Sequence, residues 1–259
     1  MNIRTNHELR LKTFDFLNEF KDKDYSRQEL IEKINKEFGI PKGALYDWYS
    51  GRYIPCGRKG SITKNPELFY VIGALLGDGC IYNWKITRNY VILVGDKKFT
   101  DKFCKFIGFC TNIKTKSYID RNKNIWFVRL NNFELYSLFS KVRNDINYLE
   151  STVNNAGKKS SLLLIEGFFD AEGCVKIIKE PIKKTPKICL DITNTNYRVL
   201  DLIRQLLLNN LGIEARYSIQ KQSIGKDGSF RKKAYHLRIY KKEFIRKFFE
   251  NINTTKLKE

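Results

Sequence analysis

Asp78 and Glu172 are the residues of this chain with the clearest capacity for chemistry, because they stand at matched positions in two similar runs. Asp78 closes Leu68-Phe-Tyr-Val-Ile-Gly-Ala-Leu-Leu-Gly-Asp-Gly-Cys80, and Glu172 closes Leu162-Leu-Leu-Ile-Glu-Gly-Phe-Phe-Asp-Ala-Glu-Gly-Cys174. Both runs read as apolar helices with small residues four apart, Gly73/Gly77 in one and Gly167/Ala171 in the other. Small residues at that spacing clear a stripe along which a second helix backbone can approach closely. Two helices packed along these stripes about a pseudo-two-fold would set Asp78 and Glu172 side by side at their C-terminal ends. An acid there opposes the helix dipole, and two adjacent acids repel. Such a pair calls for a cation. Carboxylate oxygens suit Mg2+ (or Mn2+), which keeps waters and accepts phosphate oxygens as further ligands. A metal held between carboxylates beside a phosphodiester is an arrangement for its hydrolysis.

The elements that must position these acids are themselves repeated. Ile113–Asp120 aligns with Ile213–Gln220, both alternating as half-exposed strands do. Trp126–Leu130 aligns with Tyr235–Ile239, and aromatic-rich helices follow at Phe133–Val142 and Phe244–Ile252. Each copy therefore reads helix, two strands, helix, two strands, helix. The fold class expected is α+β, with tandem αββαββα repeats over 66–143 and 161–252 and a polar linker over 144–160. Duplication within one chain makes a pseudo-dimer whose halves are not identical, so a monomer is expected.

Composition narrows the partner. The chain carries 48 Lys+Arg against 28 Asp+Glu, a formal charge of +20 spread along its whole length. Lysines and arginines that displace counterions from phosphates are the usual source of nucleic-acid affinity. With 42% apolar and 14% aromatic residues, the composition is that of a folded chain, not a disordered one. No run approaches the roughly 20 apolar residues that span a membrane, and the N-terminal residues have no signal-peptide apolar core. A cytoplasmic protein with no membrane partner is expected. The six cysteines form no CxxC pair, and the two histidines, His7 and His236, do not suit a zinc site of usual spacing. Buried, reduced thiols are the reading they support.

Val71-Ile-Gly-Ala-Leu-Leu-Gly-Asp-Gly79 and Ile165-Glu-Gly-Phe-Phe-Asp-Ala-Glu-Gly173 resemble the two motifs of the LAGLIDADG (dodecapeptide, DOD-type) homing endonucleases, of the single-chain two-motif kind. The resemblance covers roughly 66–252. It implies two four-stranded saddles gripping a DNA major groove, with the motif helices packed at the centre. It also implies intron or gene homing by site-specific, metal-dependent double-strand cleavage. The family's metal ligand is the eighth residue of each motif, which falls on Asp78 and Glu172. Asp170 holds the sixth position and is read as structural or solvated. Ala74 stands where a larger apolar residue is usual, and Glu166 interrupts the apolar run. The family commonly places a basic or polar residue near each metal, for which Lys97 and Lys176 are the candidates. The second-half position near Asn194 and Thr195 is polar but uncharged, so unequal half-sites are expected. The rival reading is a non-cleaving DNA- or RNA-binding protein of the same fold, a transcriptional regulator or an intron maturase; only a maturase would bind RNA. Without a splicing Cys or Ser at the start or His-Asn at the end, an intein is not expected.

The DNA surface follows from strand alternation. Lys114, Lys116, Tyr118 and Asp120 share one face, and Glu214, Arg216, Ser218 and Gln220 share the equivalent face, with Arg129 and Arg238 at matched positions. Long, mixed polar side chains suit base-edge reading. Because the two faces differ, a long asymmetric duplex target is expected. The basic loops Lys183–Lys187 and Lys226–Lys233 would reach backbone phosphates. Residues 1–60 lie outside the repeat. Ser26-Arg-Gln-Glu29 is a capping box opening a helix that ends at Gly39, and Pro41 opens another through Tyr49. This segment resembles a helix-turn-helix with Lys42, Tyr46, Tyr49 and Arg52 as candidate DNA contacts. Gly51–Asn65 reads as a basic tether.

Overall fold

A computed structural model describes residues 7–21, 23, 25–55, 57–84, 88–111, 113–178, 186–224 and 230–256. By compactness the chain divides into a unit of Met1–Ile62, Ile81–Ile92 and Arg129–Leu138, and a unit of Thr63–Cys80, Leu93–Val128 and Phe139–Glu259. Its elements are α1 (His7–Phe20), α2 (Arg27–Phe38), α3 (Lys42–Tyr49), β1 (Tyr53–Ile54) and β2 (Gly57–Arg58). The first repeat follows as α4 (Glu67–Asp78), β3 (Gly79–Trp84), β4 (Arg88–Gly95), α5 (Lys97–Cys110), β5 (Tyr118–Asp120), β6 (Ile125–Asn131) and α6 (Phe133–Asn144). After α7 (Ile146–Asn154), the second runs α8 (Gly157–Glu172), β7 (Gly173–Ile178), β8 (Lys187–Asn194), α9 (Tyr197–Leu211), β9 (Arg216–Gln220), β10 (Ser223–Ile224), β11 (Phe230–Arg231), β12 (Ala234–Ile239) and α10 (Lys242–Asn251). The αββαββα order is present in both copies, and the second adds the small β10–β11 hairpin.

The two four-stranded sheets have equivalent orders, β3-β4-β6-β5 and β7-β8-β12-β9. In the second, β7, β8, β12 and β9 pair antiparallel with a register that aligns Cys174, Asp191, Arg238 and Arg216 in one row. Leu190, Ile192, Leu237 and Ile239 alternate with those residues and are buried on the other face, which α9 and α10 cover with Leu200, Ile203, Leu207 and Phe248. Caps are written locally. Asp96 accepts from Phe99 N at 2.8 Å to open α5, Asn196 opens α9, and Gly212 closes α9 at φ 59° in the left-handed region.

The N-terminal helices enclose their own small core of Leu17, Leu30, Ile31, Ile34, Ile40, Leu45 and Trp48. The capping box forms: Ser26 Oγ accepts from Glu29 N, and a Glu29 carboxylate oxygen accepts from Ser26 N at 2.9 Å. The segment after β2 is fastened, not a free tether. Glu134 N donates to Lys59 O at 3.2 Å, Asn132 Nδ2 to Ser61 O at 3.3 Å, and Ile62 N to Glu134 Oε2 at 3.0 Å. Two further expectations need adjustment. The polar stretch 144–160 is built largely as α7 and the first turn of α8, with Asp145 capping α7. Residues 113–117 are not in a strand, which shortens β5 to Tyr118–Asp120. Of the described cysteines all are free, yet only Cys110 and Cys189 are buried, while Cys80 is exposed. Cys56 and residues 183–185 and 226–229 of the two basic loops lie outside the described residues.

What organises the second unit is the packing of α4 on α8. A Cβ on Gly73 would lie 2.2 Å from Leu164 O, and one on Gly167 2.1 Å from Tyr70 O. A Cβ on Gly77 would meet the Ala171 Cβ at 2.4 Å and Glu172 Cγ at 2.9 Å. The helices therefore touch backbone to backbone, and Tyr70, Val71, Ile72, Leu164, Ile165 and Phe168 around this seam are at most 1% exposed. Since main chain cannot move aside as a side-chain tip can, Gly167→Ala is expected to lose about 3 kcal/mol of stability in urea denaturation. Gly108 on α5 is the control, because a methyl group there would meet nothing within 4 Å; Gly108→Ala should hold or gain up to about 1 kcal/mol.

Candidate active centre and nucleic-acid surface

The seam delivers both acids to one end. α4 terminates at Asp78 and α8 at Glu172, and each helix passes directly into a strand through an extended glycine, Gly79 or Gly173. The next residue after either acid can thus leave the helix axis at once, which keeps the carboxylates at the helix tips. Glu172 is half-buried, and Asp78 is the more exposed. Loss of hydration among the packed helix ends pushes Asp78 above the usual carboxylate range, with Asp96 adding to the rise and Lys256 opposing it. For Glu172 loss of hydration is again the largest cause and the Asp78 charge the next, while the amide of Asn194 and the charge of Lys256 work against them. The result is a carboxyl raised to about 7.

The two half-sites differ. Asn194 Nδ2 donates to Glu172 Oε1 at 2.7 Å. Asp78 has instead the Asp96 carboxylate as a like-charged neighbour. Neither Asp78 nor Glu172 has an ion-pair partner within 4 Å among the described residues. Lys97 is turned to Asp101 at 2.5 Å and lies over the Trp126 ring at 5.3 Å. Lys176 is ion-paired with Asp191. Neither lysine named from sequence is thus engaged with the carboxylate pair; Lys256 acts on both. It follows α10 in a segment with no periodic signal, so spacing gave no means of finding it.

A second missed feature lies beneath the centre. Asp170 is fully buried, and its Oδ2 accepts from Tyr70 Oη at 2.9 Å and from Lys102 Nζ at 2.7 Å. Lys102 also pairs with Glu166 at 2.8 Å, which accounts for the acid that interrupts the apolar run. The placement of Asp170 in an otherwise apolar stripe was a usable signal, since a buried acid requires partners.

The sheet of the second repeat presents the polar residues named for DNA contact. Arg238 and Arg216 are directly opposite across β12 and β9, and Gln220 lies four pairs further along the same ladder. Asp191, wholly buried, is the hub of this face. Lys176 binds it, His236 Nδ1 lies 3.1 Å from its Oδ1, and Arg238 Nε lies 3.4 Å away. Burial alone would raise Asp191, but the Lys176 bond and the positive neighbours hold it below the usual range. His236 Nε2 extends the chain to Gln220 Oε1 at 3.3 Å. Sequence alternation identified the face but not the anion that organises it.

Elsewhere, Lys114 and Lys116 are exposed, with Lys116 over the Tyr118 ring, and Arg129 is exposed over Tyr90. In the N-terminal helices, Lys42 pairs with Glu32 at 3.1 Å. Arg27 covers the rings of Tyr46 and Tyr49, and Arg52 covers Tyr53. Among the described residues no cluster of three or more His, Cys, Asp or Glu is placed to hold a metal, and no helix is long and apolar enough to cross a membrane.

Residues 160–253 match the family model of the LAGLIDADG-like domain. A protein of Methanocaldococcus jannaschii described as uncharacterised is 26% identical over 253 residues, covering 92% of this chain and 86% of its own length. A second uncharacterised protein of that archaeon is 28% identical over 176 residues, covering 66% and 64%. A solved structure of variants of the homing endonuclease I-DmoI superposes with TM-score 0.50 at 22% identity, over 72% of this chain and 88% of that one. That likeness concerns the fold.

The raised Glu172 has a measurable consequence in the metal-free protein. Its carboxyl moves from an ordinary 4.5 to about 7 on folding, so folding favours its protonated form. Its contribution to stability is fully present below about pH 4.5 and is lost as pH rises through about 7. In EDTA, Glu172→Gln should therefore be more stable than the wild type at pH 8, by on the order of 2 kcal/mol. Denaturation from pH 4 to 8 should show the difference closing towards the acid end, and a difference independent of pH would refute this account.

Proposed function

We propose that this two-motif LAGLIDADG-like protein is a site-specific, metal-dependent DNA endonuclease, with Asp78 and Glu172 as the carboxylates that hold the metal. The observation that carries the reading is the meeting of two acids of like charge, at the ends of helices whose packing leaves no room for anything else. The Glu172 side chain lies against Gly77, one residue before Asp78. An anionic pair without an ion-pair partner among the described residues is a poor structural element but a suitable half of a coordination sphere. The donor set fits Mg2+ or Mn2+: two carboxylates, with water and phosphate oxygens left to complete the shell. Bound there, a divalent cation would supply a nucleophilic water at neutral pH and charge stabilisation for the leaving oxygen.

The protein's own contribution is placement. The seam brings the helix ends that carry the acids together, and Asn194 holds one Glu172 oxygen by a hydrogen bond. Asp96 beside Asp78 has no such donor role, so the two strands of a duplex would meet chemically unequal half-sites. Arg216, Gln220 and Arg238, with Lys114, Lys116 and Arg129 in the first repeat, are proposed as the DNA-reading side chains. The helical N-terminal segment, through Lys42, Tyr46, Tyr49 and Arg52, is proposed as an auxiliary contact. Homing into an intron or gene is the biological role this activity would serve.

Selection of cleaved molecules from a randomised duplex library in Mg2+ tests the reading. A long, non-palindromic preferred site is expected. Asp78→Asn and Glu172→Gln should each lower double-strand cutting of that site by at least about 1,000-fold. Retained binding with no metal-dependent cutting in the wild type would mark a non-cleaving binder of the same fold.

A further inference from the structure

His236 lies on the polar face of the second sheet, 8% exposed, and both nitrogens of its ring are engaged. Nδ1 is 3.1 and 3.2 Å from the two carboxylate oxygens of Asp191 and 2.9 Å from Thr193 Oγ1, while Nε2 is 3.3 Å from Gln220 Oε1. The ladder explains this convergence. His236 stands opposite Thr193 on β8 and Ser218 on β9, so Asp191 and Gln220, each two residues further along its strand, are diagonal neighbours on the same face. The other charged groups on that face are Lys176 of β7 and Arg238 of β12, both bonded to Asp191, and Arg216 of β9 opposite Arg238. The Cys174 thiol of β7 completes the row. Lys176 and Arg238 keep Asp191 ionised, and a bare Nδ1 would set its lone pair against that anion. Nδ1 therefore carries a hydrogen and donates it to Asp191. The amide oxygen at Nε2 requires a hydrogen there as well. In this arrangement the ring is an imidazolium with two donors, and Gln220 has its carbonyl turned in and its NH2 turned out.

We infer that His236 is the positioning residue of Gln220, and that its charge state selects whether Gln220 offers a donor or an acceptor to the base edge it meets. The inference rests on the DNA-reading role proposed for Gln220 and adds a specificity determinant to it. Removing the Nε2 proton reverses the pairing. A neutral ring whose remaining hydrogen is held on Nδ1 by Asp191 offers a lone pair at Nε2, which repels the Gln220 carbonyl and accepts from its NH2. The amide then turns over and presents its oxygen outward. Thr193 follows either state, because a hydroxyl both donates and accepts. In the major groove guanine presents only acceptors, N7 and O6, whereas cytosine presents its N4 donor. An outward NH2 suits guanine, and an outward carbonyl suits cytosine. The base preferred at the Gln220 contact therefore shifts from guanine to cytosine as His236 loses its proton. Asp191 makes the relay unambiguous, since it fixes which of the two ring nitrogens changes.

The test reads the ring and the base separately, in full-length protein. Nitrogen NMR of isotope-labelled histidine, with His7→Asn for assignment, reports the hydrogen on each ring nitrogen without DNA. Between about pH 5.5 and 8.5 the Nε2 signal of His236 should move to that of a bare nitrogen while Nδ1 keeps its hydrogen. A ring that keeps both hydrogens across this range, or gives up the one on Nδ1, overturns the inference. The second readout is selection of bound duplexes from a randomised library in EDTA, at both ends of the range. One position of the selected site should change from guanine to cytosine, the ratio of the two moving about tenfold, with the rest of the site unchanged. Gln220→Glu, an acceptor at either pH, should select cytosine throughout. His236→Phe should accept both bases at both pH values; a pH-driven change that persists in it overturns the relay. If His236→Phe does not fold, the wild-type pH comparison and Gln220→Glu decide: a selected base that stays constant while Nε2 loses its hydrogen overturns the inference. A library with no enriched sequence at either pH brings down the DNA-reading role itself, whatever the ring does.

Discussion

Everything in the second unit depends on two helix backbones being allowed to touch. Gly73 and Gly167 sit where a methyl group would be driven into a carbonyl oxygen of the opposite helix, and one turn further on a methyl group on Gly77 would meet the side chains of Ala171 and Glu172. Side chains between the helices would separate their axes and carry the tips apart with them. Contact of main chain on main chain at Gly73 and Gly167 instead holds the axes close, because a backbone cannot move aside as a side-chain tip can. The electrostatic consequence is unfavourable. Asp78 and Glu172 each stand at a helix end of the wrong polarity, both hold their protons more tightly than an exposed acid, and the Asp78 charge adds to the rise at Glu172. A fold that uses packing precision to bring together groups that repel concentrates unfavourable electrostatics at this one point, which is the ground for the functional reading proposed above.

The surrounding structure manages that strain without abolishing it. A salt bridge to either acid would have neutralised the pair, and no described residue forms one. Compensation comes at longer range, from Lys256, and from a single amide donor to Glu172. Lys97 and Lys176 are taken up elsewhere by Asp101 and Asp191. Burial of Glu166 and Asp170 inside α8 follows the same logic. Each would be destabilising alone, and together with Lys102, Tyr70 and the Asn253–Thr255 amides they form a satisfied polar cluster.

The repeat order and the seam were legible in the residues because periodicity and small-residue spacing are local signals. The fold, the stripe Gly73/Gly77 with Gly167/Ala171, and the polar face of β9 and β12 all follow from them. What the sequence did not disclose depends on which of many similar side chains meets which. Lys97 and Lys176 are at positions where a basic residue near the acids is reasonable, and each has an acid at hand that claims it first. Lys256 acts from a segment whose course is set by three hydrogen bonds to residues some 90 positions earlier in the chain, a kind of contact no spacing rule describes. Residues 113–117 alternate in polarity like a strand and keep alternating exposure, yet lie outside the β5 ladder, since alternation reports which face is wet and not whether a partner strand is present.

The buried Asp191 shows how the reading face of the second sheet is made stiff. Arg238, His236 and Lys176 all converge on one carboxylate that has no exposure of its own. A long cation on an open strand loses much rotamer freedom when it binds DNA, and that loss weakens the contact. Tied to a common anion, Arg238 and His236 have lost part of that freedom already in the free protein, and Gln220 is drawn in through His236. The same tie has a cost, because an arginine shared with a carboxylate presents less charge to a phosphate. Under the proposed DNA-reading role, that balance would favour directional contacts to base edges over nonspecific attraction on this sheet, and the bulk of the +20 charge would hold the duplex by its backbone. The first-repeat sheet has Arg129 over an aromatic ring, Tyr90, rather than on an acid. The two faces therefore differ in stiffness as well as in sequence, and a target read by both would be constrained more tightly in the half that meets Arg216, Gln220 and Arg238.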